Sequence, residues 1–203
     1  ACFPCAGDVE VAGTDDGVAA SFCSEVEGSL RLLDGVDFEG PFECLERIGG
    51  DLVIRGTDLE HVDFLSQVHT VGGDLRIKDN PYLGSVAGLN GLEAVHSVHI
   101  EGSGTYAQHL GFDSLQLVPG DIELTGFEQT SLSGFTALAS ADRILLQALS
   151  YVDMAAFPNL ESAKIDVRGV HALGFPAFDA LTPGRQRSHI LHVGGAKQSA
   201  TRE

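Results

Sequence analysis

The sequence predicts a mainly β fold, a right-handed parallel β-solenoid of seven to eight coils of about 22–24 residues. Three observations predict it. Short strands of the form apolar–x–apolar recur along the chain, an apolar triplet at spacing three precedes each strand, and turn residues stand directly before several strands. Two columns that share one period are hard to obtain by chance. They indicate coils that cannot bury their own apolar side and must stack into one core.

The strand column begins near residue 30. First residues of successive strands are separated by 22, 23, 23, 24, 22 and 21 positions, and an eighth strand comes after 26. Period-two alternation sends the apolar residues of each strand inward and leaves the middle residue on the outer face. The strands are Leu30-Arg31-Leu32, Leu52-Val53-Ile54, Leu75-Arg76-Ile77, Val98-His99-Ile100, Ile122-Glu123-Leu124, Ile144-Leu145-Leu146, Ile165-Asp166-Val167 and Leu191-His192-Val193.

The triplet column has the same period and predicts a second buried line. Its last copy is weakened, because glycine takes the third apolar place. The copies are Phe42/Leu45/Ile48, Leu65/Val68/Val71, Leu89/Leu92/Val95, Phe112/Leu115/Val118, Phe135/Leu138/Ala141, Phe157/Leu160/Ala163 and Phe178/Leu181/Gly184.

Turn chemistry precedes three of the strands, as Gly49-Gly50-Asp51, Gly72-Gly73-Asp74 and Pro119-Gly120-Asp121. Glycine adopts positive φ at a corner, and aspartate caps a bend through its own side chain. Stacked acidic corners also suggest calcium, but a calcium site needs about six or more converging oxygens. A structural turn is therefore the favoured interpretation.

Composition limits the function classes. The net charge of −17 argues against nucleic acid and against anionic lipid surfaces. No stretch reaches the roughly 18 apolar residues of a membrane-spanning helix. A length of 203 residues suits one domain, with an N-terminal cap over about 1–28, coils over about 29–184 and a C-terminal cap over about 185–203.

All four cysteines, Cys2, Cys5, Cys23 and Cys44, lie in the first quarter of the chain. They lack the histidine or second Cys-x-x-Cys pair of a zinc site, so an even number at one end favours disulfides in an oxidising compartment. We therefore expect an extracytoplasmic protein that is secreted, periplasmic or on the cell surface. Four cysteines permit three pairings. Ala1-Cys2 is also compatible with a lipoprotein start, which would use Cys2 as a lipid anchor.

The repeat phrasing resembles leucine-rich repeats and, more closely, the receptor L domain of bacterial or fungal surface proteins. The resemblance is carried by the segments 75–83, 5–11 and 23–32, and it covers about residues 5–184. It implies a ligand-binding module and a disulfide between Cys5 and Cys23 that closes the first coil, which leaves Cys2 to pair with Cys44. The sequence departs from the family pattern in its asparagine column. The residues equivalent to Asn80 are Thr57, Ser103, Phe127, Leu149 and Val170.

A basic stripe on the outer face is the candidate ligand-binding site. Four basic side chains fall on neighbouring coils of a strongly acidic protein, beside an exposed valine and a histidine, which favours an acidic or carboxylated ligand. The alternative is that they are solvated residues paired with neighbouring acids. The site residues are Arg31, Val53, Arg55, Arg76, Lys78 and His99.

The leading functional hypothesis is a non-catalytic recognition module that binds a protein or an acidic glycan. The first alternative is a structural or self-assembling surface protein. A polysaccharide-active β-helix enzyme is the second, and it needs paired carboxylates. The outer column offers only Glu123 and Asp166, two coils or roughly 10 Å apart. The sequence therefore predicts no catalytic, metal or cofactor site.

Overall fold

The computed structural model describes most of the solenoid and two short strands beyond residue 169. The described residues are 2–13, 20–36, 42, 44–102, 110–126, 134–149, 151–153, 157–169, 172–174 and 189–194. The predicted mainly β solenoid is confirmed over these residues, which form about six turns of parallel strands. All eight strands of the predicted column are present in the structure. The seventh triplet, Phe178/Leu181/Gly184, lies outside the described residues.

One long parallel sheet carries the strand column. Its strands are β2 Val9–Val11, β4 Leu30–Leu32, β6 Leu52–Arg55, β8 Asp74–Lys78, β9 Ser97–Glu101, β10 Leu117–Thr125, β11 Ser140–Gln147, β13 Ser162–Arg168 and β15 His189–Gly194. Their order across the sheet is β15-β13-β11-β10-β9-β8-β6-β4-β2, so neighbours in space are also successive coils along the chain.

Smaller elements form the other sides of the coils. A four-stranded parallel sheet contains β1 Phe3–Cys5, β3 Cys23–Val26, β5 Arg47–Ile48 and β7 Thr70–Val71. Strands β12 Tyr151–Asp153 and β14 Ala172–Gly174 pair with each other. Two 3-10 helices, Asp63–Leu65 and Ala87–Leu89, precede β7 and β9.

The register of the long sheet is the one that the repeat predicts. Leu30 pairs with Leu52, Leu52 with Leu75 and Leu75 with Val98. The same column continues through Ile122 and onward to the end of the sheet. Because a slip by one residue would turn every apolar side chain outward, the two inward columns specify this register.

The interior is a single apolar core between the strand column and the triplet column. All residues of the first six triplets are buried, including Phe42, Leu92, Phe112 and Phe135. The middle residues of the strands lie outward, as alternation requires, and most are half-buried or exposed. Leu145 is the exception, because it is only 4% exposed although its register places it on the outer face.

The Gly-Gly-Asp corners contain neither the positive φ nor the aspartate cap within one bend that the sequence predicts. Neither Gly49 nor Gly72 has a positive φ; a Cβ on Gly72 would instead collide with the carbonyl oxygen of Gly49 in the preceding coil. Asp51 accepts a hydrogen bond from the amide of Asp74 in the next coil, at 2.9 Å, so it bridges two coils. These glycines are required because successive coils approach closely here.

Two disulfides close the N-terminal coils, Cys5–Cys23 and Cys2–Cys44, and the expected pairing is confirmed. The sulfur of Cys2 is therefore not available for a lipid thioether in this structure. Phe3 of β1 pairs with Cys23 of β3, so the Cys5–Cys23 disulfide links neighbouring strands.

Candidate ligand-binding face

Three parallel rows of side chains cover the outer face of the long sheet, because residues two apart on a strand share a face. The corner row comes directly before the apolar–x–apolar pattern, the middle row is its central residue, and the exit row comes directly after it. The corner row contains Asp8, Ser29, Asp51, Asp74, Ser97, Asp121, Arg143 and Lys164. The middle row contains Glu10, Arg31, Val53, Arg76, His99, Glu123, Leu145 and Asp166, with His192 at the same register position. The exit row contains Leu33, Arg55, Lys78, Glu101, Thr125, Gln147 and Arg168.

The structure brings the six predicted site residues together. Arg31, Val53, Arg76 and His99 are consecutive in the middle row. Arg55 and Lys78 are paired residues in the exit row.

Each of the four predicted basic residues has a carboxylate beside it. The closest ion pairs are Arg31–Asp8 and Arg76–Asp74, both at 2.7 Å, and Lys78–Glu101 at 2.9 Å. Arg55 lies 3.6 Å from Asp79, and Arg76 also lies 3.6 Å from Asp51. The face therefore carries both signs of charge, as the alternative interpretation expects, in which the basic residues pair with neighbouring acids.

The corner row supplies most of these carboxylates, and it was not predicted to share the outer face with the basic stripe. The signal was present, because Asp74 stands two positions before Arg76 and alternation puts both on one face. Asp51 lies near Arg76 only because stacking brings residues 25 positions apart into neighbouring coils.

Hydrogen bonds between coils hold the corner row in place. Asp8 accepts from the Ser29 amide at 2.9 Å, and the Ser29 hydroxyl accepts from the Asp51 amide at 3.0 Å. The amide of Ser29 and the guanidinium of Arg31 lower the pKa of Asp8. Burial acts to raise the pKa of Asp74, but hydrogen bonds from Arg76 and His96 outweigh it and lower that pKa.

The C-terminal coils carry ion pairs of their own on this face. Arg143 donates to Asp121 at 2.5 Å, and Arg168 donates to Asp166 at 2.5 Å. These hydrogen bonds raise the pKa of both arginines. Leu145 is the middle-row residue between Glu123 and Asp166, so an apolar side chain separates the two acids.

A shallow depression of about 200 Å³ lies in the centre of the face. Side chains from β8, β9 and β10 line it, and two of its polar contacts are Lys78–Glu101 and His99–Glu123, the latter at 3.2 Å. Three of its lining residues, Arg76, Lys78 and His99, are predicted site residues, whereas its carboxylates, Glu101 and Glu123, are not among the predicted site residues. The full lining is Arg76, Ile77, Lys78, His99, Ile100, Glu101, Glu123 and Thr125.

The His96 grouping on this face does not have the geometry of a Ser-His-Asp relay. His96 Nδ1 lies 3.1 Å from both Ser97 Oγ and Asp74 Oδ1, so one nitrogen serves both partners. A Ser-His-Asp relay needs one imidazole nitrogen for each, and Ser97 is only 6% exposed. Across the described residues, no three His, Cys, Asp or Glu side chains are placed to hold a metal ion.

Comparison with known proteins adds little for the solenoid. The model of a family described as "OmdA: Bacteriocin-protection, YdeI or OmpD-Associated" matches residues 175–203. That segment covers a small part of the chain and lies mostly outside the described residues. No curated protein and no solved structure matches the sequence. In the part of the chain that the structure describes, no helix is long and apolar enough to cross a membrane.

Proposed function

We propose that this protein is an extracytoplasmic, non-catalytic recognition module that binds a protein or an acidic glycan on the outer face of its long sheet. The depression between β8, β9 and β10 carries the proposal, because charged side chains from three consecutive coils converge there. A rigid sheet that presents several polar groups in fixed register suits recognition more than chemistry, since little reorganisation is needed on binding.

The two disulfides support an extracytoplasmic location, since such bonds persist mainly in oxidising compartments. The receptor L domain resemblance supports ligand binding in the same way. For a glycosidase-type reaction, two carboxylates must flank the scissile bond. Here Glu123 contacts His99, Asp166 contacts Arg168, and Leu145 lies between the two acids.

The experiment is a binding screen against an acidic glycan array and a charged peptide library, with reversal of the stripe as the second step. We expect Arg55→Glu with Arg76→Glu to abolish binding of any ligand found, and added salt to weaken binding to the unaltered protein. Arg76→Glu would place a third carboxylate beside Asp74 and Asp51, and their repulsion could unfold the protein. In that case the milder Arg76→Gln with Lys78→Gln tests the same face.

The matched control reverses charge away from the outer sheet face. Glu46 and Glu93 are exposed residues within the first and third triplet segments, on the triplet side of the coils. Glu43 was another candidate position but lies outside the described residues. Glu46→Lys with Glu93→Lys should leave affinity unchanged. A ligand that ignores both sheet-face variants would show that recognition takes place elsewhere.

A second candidate function is self-assembly through the N-terminal end of the solenoid. Strand β2 is an edge strand of the long sheet, and an edge strand presents backbone groups that can extend another sheet. Sedimentation over a range of protein concentrations tests this candidate. A monomer at all concentrations would remove it.

A further inference from the structure

The order of charges in the depression, rather than their sum, points to a ligand class. Two rows of side chains border it, the middle row with Arg76, His99 and Glu123, and the exit row with Lys78, Glu101 and Thr125. Strand β8 supplies Arg76 and Lys78, and β9 and β10 supply the two carboxylates. The depression therefore has a positive end and a negative end along the solenoid axis.

The surroundings extend the positive end. Arg55 of β6 pairs in register with Lys78, so a third cation continues the exit row beyond the depression, with the Asp79 carboxylate 3.6 Å from it. The carboxylates of Asp51 and Asp74 contact Arg76 from the corner row and are not among the lining residues. They lie outside the depression, so the side chains that line it are still two cations from β8 and two carboxylates from β9 and β10.

The depression is too small to enclose a drug-sized molecule. A volume of about 200 Å³ is smaller than the roughly 300–1,000 Å³ of pockets that enclose drug-sized molecules. It is also open to solvent along an exposed sheet. Such a notch suits one segment of a larger surface contact, in which a macromolecule lies across the face.

We infer that the depression accepts a polypeptide segment that directs an acidic side chain to Arg76 and Lys78 and a basic side chain to Glu101 and Glu123. This inference rests on the proposed sheet-face function. Polypeptides carry both signs of charge on one chain, whereas an acidic glycan carries one, and the lining offers two permanent charges of each sign. The Lys78–Glu101 and His99–Glu123 pairs are at least one-third exposed on each side chain, so a ligand exchanges with them at little loss to the fold.

The test uses three synthetic peptides of equal length: one with an aspartate block and a lysine block, one with aspartate alone and one with lysine alone. Binding to the full chain is measured by surface plasmon resonance at low salt. We expect the peptide with both blocks to bind at least about tenfold more tightly than either single-sign peptide, because like charges brought together oppose binding.

The decisive variant is Lys78→Glu with Glu101→Lys, which keeps the ion pair but reverses the charge order of the exit row. The charge order of the exit row is then opposite to that of the middle row. The preference for the peptide with both blocks should therefore fall below about twofold, with an unchanged melting temperature. Glu25→Arg with Arg47→Glu exchanges an ion pair between β3 and β5, away from the depression; it is the matched control and should keep the preference. Lys78→Ala with Glu101→Ala removes the pair without reversal and keeps the test valid if the exchange disturbs folding.

Several outcomes would overturn the inference. They are a preference that survives the exchange, an aspartate peptide that binds as well as the mixed one, and no peptide binding at all. Tighter binding of an oligosaccharide that bears uronate and amine groups would transfer the site to glycans and leave the sheet-face function standing. A ligand that is lost with Arg55→Glu and Arg76→Glu but ignores the exchange also separates the two proposals.

Discussion

The N-terminal coils and the C-terminal coils follow the same path with different strands. Between residues 44 and 102, a corner separates a short strand from a longer one in two coils, β5 from β6 and β7 from β8, and in the next coil only an isolated bridge at Ala94 precedes β9. Between residues 110 and 169, β10, β11 and β13 continue through that corner as strands of nine, eight and seven residues. A shift in register between Val118 and Asp121 marks the place where the corner would be.

The interiors of the two regions differ as well. In the N-terminal coils, Asn80 is buried and accepts hydrogen bonds from the amide and hydroxyl of Thr57 at 2.9 and 2.7 Å. In the C-terminal coils, the rings of Phe112, Phe135 and Phe157 stack at centroid distances of 5.2 and 5.3 Å. Phe42 and Phe64 also make a ring contact in the N-terminal coils, at 5.6 Å, so aromatic contacts occur in both regions. The buried Thr57–Asn80 contact lies in the N-terminal region, and the run of three rings in the C-terminal region.

The largest expected effect comes from removing one of the buried rings of the C-terminal coils. Phe135 is fully buried between two rings. Phe135→Ala should lower the free energy of unfolding by about 3–5 kcal/mol, measured by urea denaturation. Phe135→Leu gives the C-terminal coil the residue type that Leu89 provides in the N-terminal coils, and we expect a loss of about 1–2 kcal/mol. Equal losses for the two variants would mean that ring stacking, rather than filled volume, stabilises these coils.

The next largest effect comes from removing the buried polar contact of the N-terminal coils. Asn80→Leu introduces the residue found at the equivalent buried position Leu149, but it removes the partner of the Thr57 amide and hydroxyl and of the Ile54 carbonyl. Each buried polar group without a partner costs about 1–3 kcal/mol, so we expect a total loss of roughly 3 kcal/mol in urea denaturation. Thr57→Val with Asn80→Leu should recover part of it, because the hydroxyl is removed. A loss below about 1 kcal/mol for the single variant would show that apolar filling suffices here too.

A smaller effect concerns charge on the outer face of the N-terminal coils. Asp74→Asn should cost about 1 kcal/mol at pH 7, because Arg76 and His96 then face a neutral amide. The folded pKa of Asp74 lies below its usual value. The carboxylate therefore stabilises the fold fully above the unfolded pKa of about 3.9, and this contribution is lost as the pH falls through the lower folded pKa. The difference between the two proteins in urea denaturation should shrink below about pH 4; a constant difference would point to altered packing.

The smallest expected effect compares the exit corners. Ala148 has a φ of 52°, whereas Gly126 and Gly169 at equivalent corners have φ values of 76° and 60°. Ala148→Gly should stabilise the protein by about 0.5 kcal/mol, because relief of left-handed strain exceeds the added chain entropy of glycine. Gly169→Ala is the mirror variant, with no close contact at its added Cβ, and should destabilise the protein. A loss of stability in Ala148→Gly, read from thermal melts, would mean that its methyl group packs usefully.

The sequence by itself determined the solenoid, the register of the repeated strands in the long sheet and the burial of six triplets, because apolar periodicity is information in one dimension. It also placed Arg31, Val53, Arg55, Arg76, Lys78 and His99 on one face, since alternation decides which side of a strand a residue occupies. Strand β2, Val9-Glu10-Val11, has the apolar–x–apolar form but was not included in the predicted column. The division of coils into shorter and longer strands was not predicted, because the apolar repeat does not mark it.

Only the tertiary structure decided which charges meet. Lys78 contacts Glu101 and His99 contacts Glu123 because stacked strands bring residues 23 or 24 positions apart into contact distance. The glycines of the Gly-Gly-Asp corners depend on the same stacking, since their constraint is the backbone of the preceding coil and not their own φ. The physical reason is that a periodic pattern specifies which side each residue faces, whereas contacts between coils depend on spacing and side-chain reach, which exist only once the coils are stacked.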